Sequence, residues 1–350
     1  EERLQWLLSD NRNVVEGLVG LLVLLVYYLI AWVAVGKDPH AGPIAPLYEP
    51  PKGLSPAAVR YIMRMGFDRK AMTASILNLA VKKRITIQED DGEFSLERTE
   101  EDTGSLSTEE RKLFNRLMGG RHITLKNTNA STIQSAMKAL QGELEKTFRK
   151  QHFNINGWWL VPGILISFAT VGLMVLHSRM VPVAGFMTLW LSFWSLGVFT
   201  LLAAVFGSWR EVFRGNFLKI GSAIFLTLFS LPFVGGEIFG LYVLSTSISL
   251  AAVGVILAIM LVNVVFFQLM KAPTVFGRRV MDQIEGFRQY MTVAEKDELA
   301  WRYPVNKTPE TFERYLPYAL ALDVENEWAD RFSDVLNIDE SGSGSGYHPS

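Results

Sequence analysis

No cysteine occurs among the 350 residues, which excludes disulfides, thiolate zinc sites, iron–sulfur clusters and cysteine nucleophiles. Charge is scarce as well. Asp, Glu, Lys and Arg make up 20% of the chain, below the quarter usual in soluble domains, and their formal sum is −1. A balance so near zero gives no overall attraction to nucleic acid or anionic lipid. The five histidines (His40, His122, His152, His177, His348) show no HxxxH or HExxH spacing, so no metal site is expected. A P-loop, a GxSxG elbow, a kinase motif set and a dinucleotide fingerprint are missing too, so no catalytic or cofactor-binding residue is expected and a non-enzymatic role is.

Apolar residues, in contrast, reach 49% and gather into a few long blocks. Val14 to Val35, interrupted only by Glu16, spans about 33 Å as a helix, enough for a hydrocarbon core of roughly 30 Å. Trp158 to Leu176 and Val181 to Phe206 form the second and third blocks. Ile220 to Met270 is too long for one span and must hold two. The polar run Ser245-Thr246-Ser247 marks their turn, giving a fourth helix, kinked at Pro232, to about Leu244 and a fifth from about Ile248.

Basic residues flank the ends unevenly. Lys37, Lys52, Arg60, Lys146, Arg149 and Lys150 border one intervening segment, Arg210, Arg214 and Lys219 follow the third span, and Lys271, Arg278 and Arg279 follow the fifth. Only Arg179 lies between the second and third spans. This asymmetry predicts five helices in a cell membrane, a bacterial inner membrane, with the N-terminus outside and the C-terminus cytoplasmic. The expected organisation is an external stub (1–13), a first membrane helix (14–36), a cytoplasmic module (37–157), helices two to five (158–270), a cytoplasmic helical segment (271–336) and a flexible Gly/Ser tail (337–350). An external stub without a signal peptide is expected to be the remainder of a longer precursor with an exported domain.

The module reads as α+β. A proline-rich connector (37–52) leads to Ser55-Pro56, a capped helix start, and Asp68 opens a second helix. Period-two alternation around an Asp90-Asp91-Gly92 turn predicts a hairpin, and Ser107-Thr108-Glu109-Glu110 is a capping box. Helices followed by a hairpin outline a winged-helix-like module, but the acidic tip, Glu89 to Glu93, would repel a phosphate backbone, so no nucleic-acid partner is expected. In the tail, Phe276, Val280, Ile284, Phe287 and Met291 form one apolar stripe. Phe312, Tyr315, Leu316 and Ala319 line a second helix, and Trp328, Phe332 and Val335 a third. Residues 37–157 carry 19 basic and 15 acidic groups and 271–350 carry 9 and 14, so these segments are expected to dock on each other. Within the spans, Glu237 and Asn263 are the candidate polar residues. Glu237 is placed at the outer interface beside the turn, and Asn263 in helix-to-helix hydrogen bonding.

Four stretches carry a resemblance. LYEPPKGLSPAAV (Leu47 to Val59) with ASILNLAVKKRITI (Ala74 to Ile87), KAPTVFGRRVMDQIEGFRQYM (Lys271 to Met291) and FERYLPYALALDVENEWADRF (Phe312 to Phe332) resemble the YciQ-like predicted membrane proteins, domain of unknown function 2207. The resemblance covers about residues 14–336 and implies an exported β-rich domain upstream and no established activity. Asp323 stands where the family pattern has glycine. The motif residues Tyr48, Glu49, Pro50, Pro51, Arg278, Glu285, Gly286, Phe287, Glu313, Arg314, Tyr315 and Trp328 become candidates for stabilising a cytoplasmic platform or contacting a protein partner or a second copy. The bilayer itself is the other partner. A transporter or channel using helices two to five, and a membrane-tethered regulator, are the alternatives.

Overall fold

The computed structural model describes residues 12–90, 93–99, 105–213, 220–292 and 308–333. Most of the 1–13 stub, Asp91-Gly92, Arg214, Lys219, Val335 and the Gly/Ser tail lie outside them. The described elements begin with α1 (Arg12–Ala31), α2 (Pro56–Arg64), α3 (Arg69–Val81), β1 (Ile85–Asp90), β2 (Glu93–Arg98), α4 (Thr108–Leu117) and β3 (His122–Thr124). Next come α5 (Ala130–His152), β4 (Phe153–Asn154), α6 (Leu160–Leu176), α7 (Val181–Phe213), α8 (Ile220–Ile248) and α9 (Leu250–Leu269). The last are β5 (Ala272–Pro273), α10 (Val275–Thr292), α11 (Pro309–Ala321) and α12 (Glu325–Arg331). Two compact units result: an apolar one, Glu1–Gly36 with Asn156–Met270, and a mixed one, Lys37–Ile155 with Lys271–Ser350.

Among the described residues the apolar unit holds five helices long and apolar enough to cross a membrane, from Arg12–Gly36 to Leu250–Leu269. Glycines let them approach closely: a methyl group on Gly163 would lie 2.3 Å from the Tyr28 ring, and one on Gly20 2.1 Å from Thr170. Large apolar side chains such as Phe168, Phe193 and Phe206 point outward, as lipid-facing residues do. The turn between α8 and α9 falls later than its polar run suggests, at Ser249, with φ +92° and its hydroxyl accepting from Ala252 N at 3.3 Å. The cause is local: Ser245, Thr246 and Ser247 donate back to the carbonyls of Tyr242 and Val243, so the helix runs on to Ile248. Nor does α8 break at Pro232, Gly235 or Gly236.

In the mixed unit the helix starts are set by side-chain caps. Ser55 accepts from Ala58 N, Asp68 from Ala71 N and Thr308 from Thr311 N, while Ser107 and Glu110 complete a capping box. Strands β1, β2 and β3 form an antiparallel sheet in that order, with Ile87 opposite Leu96 and Leu96 opposite Ile123. One core gathers Ile62, Leu79, Leu96, Leu113, Leu140 and Phe153 with Phe287, Trp328 and Phe332, so the oppositely charged segments do share an interior. The two-stranded β4–β5 pair, Phe153 opposite Pro273, ties them together. The stripe on α10 differs from its sequence reading at one end. Phe276 is 49% exposed, and Met281 joins Ile284, Phe287 and Met291 in the core instead. The reason is a backbone crossing: Thr274 N donates to His152 O at 2.9 Å, and Gly277 sits so close that a Cβ would meet that carbonyl at 1.7 Å, turning the first turn of α10 outward.

Candidate functional site

The motif residues gather in the mixed unit, and four of them, Gly286, Phe287, Tyr315 and Trp328, are buried. Trp328 and Phe287 are fully buried and Tyr315 nearly so. Phe287 meets Tyr315 edge-on at 5.6 Å and Tyr318 at 5.9 Å, while Trp328 packs on Tyr315 and Phe332 and its indole donates to Phe312 O at 3.2 Å. Arg331 covers the cluster from outside, its guanidinium lying 5.2 Å from the Tyr290 ring centroid and donating to Tyr290 O at 2.5 Å.

The proline-rich connector lies along α10. Tyr48 stands edge-on to Tyr290 at 5.1 Å, Leu47 N donates to Gly286 O at 3.2 Å, and Gly42 N donates to Asp282, which is ion-paired with Arg278 at 2.8 Å. Gly286 is required there, because a Cβ would come within 2.1 Å of Ala45 O. Pro51 O accepts from Leu54 N, bending the connector toward the Ser55 cap just beyond Pro50. Glu285 pairs with Arg288 at 3.5 Å, and Arg314 lies over Tyr315 at 5.4 Å. Glu49 is near enough to Tyr315 to act on its hydroxyl electrostatically.

A charged node that sequence reading missed sits beside the cluster. Arg60, only 5% exposed, donates to both oxygens of Asp68, to Ala321 O at 2.8 Å and to Asp323 at 3.0 Å. Arg64 and Lys70 reach the same Asp323 carboxylate at 2.5 Å each, and Lys70 also pairs with Glu325 at 2.8 Å. Burial alone would raise the Asp323 pKa, but the hydrogen bonds from Lys70, Arg64 and Arg60 outweigh it and hold the carboxyl well below the usual range. Asp323 has φ +58°, the left-handed conformation that glycine adopts without strain and most L residues avoid. At the other end of α3, Lys82 pairs with buried Glu110 at 2.7 Å.

Glu313 faces a groove of about 890 Å³ between α3, the β1 strand and α11, lined also by Lys83, Ile85, Thr86, Ile87, Gln88, Glu89, Phe94 and Phe312. Burial, and then the neighbouring Glu310, push its carboxyl up. The groove itself is not legible in the sequence, because it forms only where the stretch from Leu77 to Phe94 meets α11, more than 200 residues later.

In the apolar unit Asn263 joins three helices: Tyr28 OH donates to its Oδ1 at 2.7 Å, and its Nδ2 donates to Ser167 Oγ at 2.8 Å. Glu237 is not beside the turn. It lies 11 residues before Ile248, about 16 Å along the helix, and accepts from Ser195 Oγ of α7 at 2.7 Å. The uninterrupted α8 carries it there. Among the described residues no group of three or more His, Asp or Glu is arranged to hold a metal ion.

A family model described as the C-terminal domain of a predicted membrane protein family, DUF2207, matches residues 45–217 and 209–332. No curated protein and no solved structure matches the chain.

Proposed function

Because the chain belongs to this family of predicted membrane proteins, we propose that it is a non-enzymatic integral membrane protein holding a platform for protein contacts. The platform is the mixed unit, placed in the cytoplasm, with the N-terminus of the chain outside a bacterial inner membrane and linked there to an exported domain. One observation carries the reading: the segments before α6 and after α9 fold into one unit, closed by the β4–β5 pair and by the cations of 60–70 on Asp323. An anchor alone needs no such construction. Basic flanks on both segments support the orientation. The succession α2, α3, β1, β2 supports a winged-helix-like module, while its acidic tip and the capture of Lys82 by Glu110 favour protein over DNA as its partner.

Photo-crosslinkers at exposed positions of the mixed unit in native membranes are expected to capture a protein partner or a second copy, and capture of neither refutes the platform. The cysteine-free chain makes orientation testable by labelling. Arg179→Cys should react in intact cells and Gln141→Cys only after permeabilisation. The opposite pattern inverts the topology.

A second reading, transport through α6–α9, is favoured by Glu237, whose other oxygen is buried without a hydrogen-bond partner among the described residues. Solute or proton flux in proteoliposomes that Glu237→Gln abolishes would establish it, and the absence of flux in the unaltered chain would remove it.

A further inference from the structure

Strand β1 is the end strand of its sheet, and its outer edge has no strand partner among the described residues. The pairing decides which backbone groups face outward. Arg84 O accepts from Thr99 N, whereas Phe94 O and Arg98 N bond to Leu125 and Arg121 on the β3 side. Even-numbered residues of β1 therefore bond to β2, and Ile85, Ile87 and Glu89 present N–H and C=O to the free edge.

The groove described above runs along this edge. Consecutive residues from Ile85 to Glu89 all border it. A cavity over one face of a strand would touch only alternate residues, so this one lies against the backbone itself. Its opposite side is made by Leu77 and Ala80 of α3 and by Phe312 and Leu316 of α11, and Phe94, 45% exposed, closes the end near the hairpin tip. A volume of about 890 Å³ beside six strand residues suits an extended chain of about five residues, roughly 17 Å long. Charge marks one end of it. Lys83 and Glu313 lie close enough to act on each other, while Glu89 and Asp90 concentrate negative charge at the tip. Edge strands are commonly guarded by charge, but here Ile85, Thr86 and Ile87 leave half the edge uncharged.

We propose that this edge binds an extended peptide segment of a partner protein by strand addition. The peptide is apolar at alternate positions, which enter the groove, and carries Lys or Arg at the end beside Glu89 and Asp90. This deepens the platform reading and rests on it. Crosslinking of the platform that no groove variant alters would leave that reading standing and overturn the groove alone.

The test uses the full chain in lipid nanodiscs and a fluorescent hexapeptide, Lys-Val-Thr-Val-Thr-Val. Two N-methylated versions carry the methyl groups on alternate amides in the two possible phases. Saturable binding is expected, with one phase weakening it at least tenfold and the other leaving it nearly unchanged, because only alternate amides of an added strand face β1. Glu89→Pro, which deletes an outward N–H without touching the β1–β2 ladder, should weaken binding as much. Glu89→Lys should shift preference to a peptide beginning with Asp. Absence of saturable binding, or equal effects of the two methylation phases, overturns the proposal. So does slow hydrogen exchange at Ile85, Ile87 and Glu89 in the unliganded chain, which would mean that the edge is already covered by this chain or a second copy.

Discussion

Replacing Asp323 by alanine separates two effects that meet at one residue. The first is electrostatic. Arg64 is 59% exposed, so its pair contributes little, and half-buried Lys70 adds a few tenths of a kcal/mol. Arg60 is the costly partner, with a side chain only 6% exposed, but it keeps Asp68 and Ala321 O. Its loss therefore falls below the roughly 3–5 kcal/mol of breaking an isolated buried pair, at about 1–2 kcal/mol after screening of the partly exposed carboxylate. The second effect is conformational: alanine at φ +58° adds about 1 kcal/mol that glycine would not. Asp323→Ala should then cost about 2–3 kcal/mol, Asp323→Gly about 1 kcal/mol less, and Asp323→Asn least, since asparagine tolerates the left-handed region and keeps an acceptor. For a unit of this size that is a fall in Tm of roughly 4–12 °C for alanine. Thermal unfolding of the full chain in detergent, with hydrogen exchange at α2 and α11 to locate the loss, reads it. The pH dependence has a definite sign. The folded pKa of Asp323 is depressed, so its stabilisation is complete above the ordinary value of 3.8 and is lost as pH falls below that toward the folded value; Asp323→Ala should flatten this acid limb. Equal stabilities for the alanine and glycine variants would refute the backbone argument, and an unchanged acid limb the electrostatic one.

Gly286→Ala should displace the proline-rich connector from α10, because the new methyl meets backbone at Ala45 and not a movable side chain; a cost above about 2 kcal/mol and faster exchange at Leu47 are expected, and a neutral effect would count against the contact. Asn263→Leu removes the bonds to Tyr28 and Ser167 and should cost about 1 kcal/mol in unfolding in detergent. Combined with Tyr28→Phe it should cost less than the two changes summed, and strict additivity would deny the pairing. Glu237→Gln keeps an acceptor for Ser195 and should leave stability within about 0.5 kcal/mol, whereas Glu237→Leu removes the acceptor and leaves that hydroxyl to its own helix; equal losses from both would show that the bond is not made.

The sequence by itself determined what depends on neighbours along the chain. The five apolar spans, the caps at Ser55, Asp68 and Ser107, and the hairpin are legible because hydropathy, side-chain capping and alternation act within a few residues. Motif matching also marked Phe287, Tyr315 and Trp328, but could not say that they form a buried cluster instead of a contact surface. Only the tertiary structure decided that, since burial depends on what comes to lie opposite. It likewise exposed Phe276, moved Glu237 well inside α8 against Ser195, and brought Arg60 to Asp323 across more than 250 residues. The groove beside β1 was invisible for the same reason. Its charge and apolar lining are ordinary in each local stretch, and become a site only where α3, a strand edge and α11 meet.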